Sequence, residues 1–308
     1  MQRTNIKLKS VAIITIGLIA TLAIQSCSKS SSGGGGGGTP SNKVSDSVEA
    51  AHLVAYFPFD GNSNEKISGT AAVSSSAVSY TTGIRGQAYQ GAANAYDTLP
   101  LNSTGITNFS GLQSYSLSFW FKVSAQQPSG NPGGIFFLEG TNTQNELIYE
   151  MESYAPVSGD SLQLHHGFTN LGSPGWQGFT MAAFDTSATA IGNWQHVVTT
   201  YDGSTSTYTI YFNGISVQNQ SAWGWQNPNI LYQQSDITGP KQGNLSFASD
   251  PPKTILIGTW PLGLYGVSPT TLGGNGCFLG QLDELRVFNI ALSQQDVANL
   301  YTYGKAGK

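Results

Sequence analysis

Charge is scarce in this sequence. Only 10% of its 308 residues are Asp, Glu, Lys or Arg, and they leave a formal net charge of −4. No cluster of Lys or Arg stands in the main body, so the electrostatic footprint of a nucleic-acid binder is missing. Cysteine is scarcer still: Cys27 and Cys277 are the only two, and no disulfide framework can be built from them. The apolar run near the start, 11–24, is shorter than the roughly 20 residues a bilayer-spanning helix needs. The four histidines, His52, His165, His166 and His196, are scattered, and neither a helical His-Glu zinc motif nor a nucleophile elbow accompanies them. No internal repeat is present. What is abundant is Gly, with 38 residues, and aromatic residues, at 11%. Together with many Ser and Thr, that composition suits strands joined by turns and argues against a helical bundle or an acidic disordered tail. The length allows one large β domain or two small ones.

The first 27 residues read as an address. Arg3, Lys7 and Lys9 precede the apolar run, and a short apolar run behind positive charge is a secretory signal. It ends Ile24-Gln25-Ser26-Cys27, which resembles a bacterial lipobox. That resemblance implies lipidation at Cys27, where acyl chains would hold the protein at about 0.8 kcal/mol per buried methylene. The alternative is an ordinary cleaved signal with an incidental cysteine. Residues 28–48 carry Ser30-Ser31-Ser32 and then six glycines, Gly33 to Gly38. This is a flexible coil with a reach of about 25 Å. Ser28, rather than an acid, follows Cys27, which by analogy with other lipoproteins directs the protein to the outer membrane. No acidic residue occurs before Asp46, so the surface and the periplasmic leaflet both stay open.

From Leu53 onward the hydrophobic period is two. In the stretch from Tyr115 to Val123, Leu117, Phe119, Phe121 and Val123 share one face, with Trp120 and Lys122 on the other. Further strands are expected at 194–201, 206–212, 254–258 and 280–288. Asn213-Gly214 is a hairpin-turn signal, because both positions tolerate positive φ. Ser293 with Asp296, followed by Val297, Leu300 and Tyr301, marks one short helix near the end, opened by a capping box. Many short strands and one late helix read as a β-sandwich.

Six segments resemble, in order, those of laminin-G-like, concanavalin A-type domains. They are Ala55 to Gly61 with its Phe59-Asp60-Gly61, Gly86 to Tyr89, Tyr115 to Val123, Gly192 to Gly203 with Trp194 and His196, Tyr211 to Gly214, and Gly280 to Asn289 with Ala291-Leu292-Ser293. The resemblance implies an all-β, concanavalin A-like jelly-roll sandwich of two antiparallel sheets, spanning 49–304, with one short C-terminal helix. Trp194 and His196 are read as packing and hydrogen-bonding residues. The resemblance also implies a structural Ca²⁺ held by Asp60 and Asp283, where the first and last strands meet. The alternative is that Asp60 caps a turn and Asp283 accepts hydrogen bonds from a neighbour.

Three inserts, roughly 126–145, 165–192 and 221–253, exceed a minimal member of the family, and loops of such length are uncommon unless functional or mobile. Trp176, Trp223 and Trp225 lie in them, and Trp260 follows shortly after. We take these four as candidate ligand-binding residues, their rings either stacking on sugar faces or pinning the loops. The same sandwich serves laminarinase-type glycosidases, which carry acid, Asp, acid at alternate positions, and a retaining enzyme needs two carboxyls about 5–5.5 Å apart. Glu146, Glu150 and Glu152 share one strand face here, but Ile148 stands where the middle acid belongs, and from Glu150 the third acid would fall on Tyr154. The stretch is therefore read as a solvated acidic face and no catalytic residue is assigned. The expectation is a non-catalytic, membrane-anchored lipoprotein that recognises carbohydrate through loop aromatics. A protein-adhesion or scaffold module in the envelope and a laminarinase-type glycoside hydrolase are the alternatives. Cys277 is expected to be a buried free thiol.

Overall fold

The computed structural model describes residues 44–125, 127, 132–141, 146–152, 162–169, 176–182 (backbone only), 190–217, 229–233, 239–247, 249–261 and 276–308. Sixteen strands and two helices are defined in them. In chain order the strands are β1 (Leu53–Phe57), β2 (Val73–Ser74), β3 (Ser79–Thr82), β4 (Gln87–Gln90), β5 (Asp97–Pro100), β6 (Tyr115–Val123), β7 (Gly133–Glu139), β8 (Leu147–Met151), β9 (Gln163–Thr169), β10 (Trp176–Ala182), β11 (Gln195–Asp202), β12 (Thr207–Phe212), β13 (Ile215–Ser216), β14 (Asn229–Ile230), β15 (Thr254–Ile257) and β16 (Gly280–Phe288). The helices are α1 (Ser103–Ser110) and α2 (Gln294–Lys305).

Two antiparallel sheets result. The first runs β13-β12-β11-β6-β16-β4-β3, with β1 also on β16 and β14 on β12; the second runs β10-β9-β8-β7-β15-β5-β2. The expected two-sheet sandwich is thus what the chain forms. Alternation along each strand sends one set of side chains between the sheets. From β6 these are Tyr115, Leu117, Phe119, Phe121 and Val123; from β8, Leu147, Tyr149 and Met151; from β16, Leu282, Leu285 and Val287. Asn213 and Gly214 both have positive φ, 51° and 82°, and turn β12 into β13 as the dipeptide signalled. Several polar groups buried in the core are hydrogen-bonded to one another, which offsets their desolvation. Tyr149 Oη bonds Thr199 Oγ1, and His166 Nδ1 lies 2.8 Å from Tyr208 Oη. Burial drives the pKa of His166 down to about 3, so its ring is neutral.

The first sheet's outer face is closed by α2. Val198, Tyr211 and Phe288 pack there on Leu292, Val297 and Leu300. Trp120, His196 and Tyr301 pack as a trio, with ring centroids 4.8 Å apart for Trp120–His196, 5.6 Å for Trp120–Tyr301 and 6.1 Å for His196–Tyr301. His196 Nε2 bonds Ser118 Oγ at 2.9 Å, consistent with a packing role for that histidine. Ser293 caps α2 by the reciprocal box with Asp296. Helix α1 was not expected: its Asn102 cap accepts from the Gly105 N–H, and only Gly105 and Phe109 are buried along its eight residues. Residues 44–48, which composition assigns to the tether, are packed: Ser45 N–H and Oγ both donate to the Lys308 carbonyl, at 3.2 and 2.6 Å. No helix among the described residues is long and apolar enough to cross a membrane.

Candidate functional site

While α2 covers one sheet, the outer face of the other carries a group of acidic, imidazole and indole side chains. One of its interior strands, β8, lies between β7 and β9. Leu147, Tyr149 and Met151 enter the core, so Glu146, Ile148, Glu150 and Glu152 turn outward together, as the period of two required. Ile148 forms an apolar patch there with Phe137 of β7 and Leu256 of β15, and Trp260 packs against it.

Next to that patch stands a bound set of polar groups. His165 of β9 pairs with Glu150 in register, and its Nδ1 lies 2.8 Å from Glu150 Oε1 and 3.4 Å from Glu152 Oε1. Trp260 Nε1 donates to Glu150 Oε2. Burial acts to lower the imidazole pKa, but the hydrogen bonds and charges of Glu150 and Glu152 outweigh it and raise it to about 9. Burial raises the Glu150 pKa, and the His165 hydrogen bond and charge oppose it. At neutral pH His165 is therefore an imidazolium, facing the carboxyl groups of Glu150 and Glu152.

The expectation of a solvated acidic face is corrected here. Glu146, Glu150 and Glu152 are 0%, 4% and 8% exposed. Their strand is interior to the sheet and Trp260 folds over it, neither of which local alternation reveals. Two further carboxylates lie at the other end of β8. Glu139 stands opposite Glu146 in the register that pairs Leu138 with Leu147, and Asp250 acts electrostatically on Glu146.

Of the four candidate tryptophans, Trp260 is brought to this face. Trp176 opens β10, whose side chains lie outside the described set, as do Trp223, Trp225 and Cys27 altogether. Sequence reasoning missed His165. The signal was present: Leu164, His166 and Phe168 alternate into the interior, which leaves His165 on the glutamate face.

Asp60 and Asp283 grip one tight loop. Asp60 Oδ1 accepts the Gln87 N–H at 2.8 Å, and Asp283 Oδ2 accepts those of Ile84 and Arg85 at 2.8 and 3.1 Å. A Cβ on Gly83 would overlap Asp283 Oδ2, and one on Gly86 would overlap Asp60 Oδ1, so both glycines are required by close approach. Burial pushes the Asp283 pKa up to about 8. Its Oδ1 is sealed from solvent without a hydrogen bond. An orphaned buried carboxylate oxygen is the kind of group that a hard cation would satisfy. Cys277 is a free, buried thiol, as expected.

Two stacked antiparallel sheets, with one outer face roofed by a helix and the other carrying a Trp-Glu-His-Glu set, define a lectin-type sandwich domain. The chain belongs to the concanavalin A-like lectin/glucanases superfamily, whose laminin-G family model matches residues 93–247. No curated protein matches the sequence. Among solved structures, the chain is similar to the binding domain of botulinum neurotoxin DC in complex with rat synaptotagmin II. Identity is 12%, over 84% of this chain and 52% of that one, at a TM-score of 0.53. The same toxin domain in complex with SialylT gives 12%, 84%, 52% and 0.52. Domain 4 of AbnA, a GH43 extracellular arabinanase from Geobacillus stearothermophilus in complex with arabinotriose, gives 16% identity over 81% of this chain and 98% of that one, at 0.49. The chain spans about half the length of the toxin binding domains, and at these identities the likeness is one of fold.

Proposed function

We propose that this chain is a non-catalytic glycan-binding lipoprotein, and that its ligand meets the outer face of the second sheet at Trp260. The observation that supports this is the placement of Trp260. Its half-buried ring rests on the Phe137, Ile148 and Leu256 patch, and its N–H is fixed by a buried carboxylate. An aromatic face beside immobilised polar groups is what saccharide recognition asks for. Domains of similar fold occur with SialylT and with a protein, synaptotagmin II, so the architecture serves either kind of ligand. In Trp260→Ala, glycan affinity of the detergent-extracted chain should fall by about 1–3 kcal/mol, the range for an aromatic anchor, as read by titration with the best ligand from a glycan array. An array with no signal, beside capture of a defined envelope protein, would overturn the glycan reading.

Catalysis is not part of the proposal. A glycosidase needs a protonated acid and an ionised partner across the sugar, whereas Glu150 and Glu152 converge on one imidazolium. A reducing-sugar assay on β-glucans should stay at background.

We also propose that Cys27 carries the lipid anchor and that Asp60 and Asp283 would hold a structural Ca²⁺, tying the end of β1 to β16. Cys27→Ala should move the protein from the membrane pellet to the soluble exported fraction, with the sandwich still folded. Retention in the pellet would refute the anchor.

A further inference from the structure

The polar group beside Trp260 has the makings of a metal site. Glu150 and Glu152 stand two residues apart on one face at the end of β8, and His165 lies opposite Glu150 on β9. One ligand atom from each of the three lies within 4.8 Å of the others. Among the described residues no other three His, Cys, Asp or Glu side chains converge in this way. A fourth polar group flanks them. The Glu152 N–H donates to the Gln163 carbonyl at 2.8 Å, and Leu164 turns into the core, so alternation puts the Gln163 side chain on the same face as His165. That side chain is 1% exposed, and neither its oxygen nor its nitrogen has a hydrogen-bond partner.

An ion pair accounts for only part of this. The imidazolium carries one positive charge and balances one carboxylate, and it leaves the buried amide of Gln163 unsatisfied, which is costly. A divalent ion with a neutral imidazole balances both carboxylates. The spacing suits one. Ligands about 2.0–2.1 Å from a tetrahedral ion stand roughly 3.3 Å from one another, and His165 Nδ1 is 2.8 Å from Glu150 Oε1 and 3.4 Å from Glu152 Oε1. The ion would take the place of the Nδ1 proton, which passes to solvent. Glu150 is already held from outside, as ligating carboxylates are: Trp260 Nε1 donates to its other oxygen, Oε2. One imidazole nitrogen with two carboxylates selects a borderline ion such as Zn²⁺ over Ca²⁺, which wants oxygen ligands alone.

We propose that Glu150, Glu152 and His165 bind a divalent cation of the Zn²⁺ type, with the Gln163 amide beside its fourth position, to ligate the ion or hold its water. The ion would fasten β8 to β9 and fix the carboxylate to which Trp260 donates, whatever ligand meets that ring.

The test is calorimetric titration of Zn²⁺ into the chelator-stripped, detergent-extracted full chain, with melting curves alongside and excess Ca²⁺ present to fill any site made of oxygens alone. No glycan is added, so the result is separate from the glycan reading. One Zn²⁺ should bind per chain and raise the Tm. Glu152→Gln keeps the side-chain shape and leaves His165 paired with Glu150, so it should fold. It should bind Zn²⁺ about tenfold more weakly or worse, since even the outer partners of a bound metal are worth about 10–100-fold in affinity. His165→Gln should act alike. His52→Gln, which removes the exposed histidine near Glu49, should bind Zn²⁺ as wild type does. Absence of Zn²⁺ uptake by wild type, undiminished uptake by Glu152→Gln and His165→Gln, or uptake lost in His52→Gln overturns the proposal.

Discussion

Replacing Arg286 by methionine is expected to lower the stability of the domain by about 3–5 kcal/mol, the cost of breaking a buried ion pair from one side. Arg286 is only 3% exposed in β16. Its Nη2 lies 2.5 Å from Glu284 Oε2 and 2.7 Å from Asp46 Oδ1, and its guanidinium stands 4.4 Å from the centre of the Tyr56 ring. Glu284 is itself buried, at a bulge where its φ is +53°. It also accepts from Tyr56 Oη at 2.8 Å and meets Arg85 Nη1 at 3.3 Å. Methionine fills the space but leaves the Glu284 carboxylate with those two partners alone. Urea unfolding of Arg286→Met, Glu284→Gln and the double variant measures the coupling: the double variant should recover part of the loss. Additive losses would show that the pair contributes nothing as a pair.

The same network sets an acid limit. Asp46 is held at a pKa of about 2, chiefly by its hydrogen bond to Arg85, with Arg286 assisting against partial burial. A carboxylate depressed from 3.8 contributes stability above its unfolded pKa and loses it as pH falls through the folded value. Wild type should therefore weaken between about pH 4 and pH 2, and Asp46→Asn should flatten that part of the profile.

The second large effect is expected at Gly134. A Cβ there would overlap the carbonyl carbon and oxygen of Thr259 and lie 2.6 Å from the Trp260 nitrogen. These are backbone atoms and cannot rotate aside, so β7 and the segment after β15 would have to separate. Gly134→Ala should cost about 1–3 kcal/mol, as overpacking does. It should also displace Trp260 from Glu150, so that glycan affinity falls together with Tm. A variant that melts like wild type would show that the two segments approach less closely than this.

Much of the frame was legible because it rests on local rules. The alternation along β6, the Asn213-Gly214 turn and the Ser293 cap are each decided within a few residues, and each stands where the pattern put it. Helix α1 was not legible, since its eight residues carry only two large apolar side chains, Ile106 and Phe109, too few to set a helical period. The site was half legible. Period two gave the shared face of Glu146, Glu150 and Glu152 but not their burial, which depends on β7 and β9 flanking them and on Trp260 arriving from about a hundred residues later. His165 was hidden by its neighbour, because two adjacent histidines face opposite sides of one strand. Ser45 and Asp46 read as tether because their partners, Lys308, Arg85 and Arg286, are remote in sequence.

That last contact has a mechanical meaning. Any drag on a ligand at the far sheet returns to the membrane, if Cys27 is the mooring, through the strand that enters the sandwich first. Before tension reaches β1 it meets a latch: Ser45 on the Lys308 carbonyl and Asp46 on two arginines. Beyond the latch, β1 is stitched along β16 from the Leu53–Phe288 pair to the Phe57–Leu285 pair. Since β16 is an interior strand bonded to β6 along its length, the load is handed to the middle of the nine-stranded sheet rather than to a fraying edge. The segment 44–48 thus acts as the strain relief on a cable.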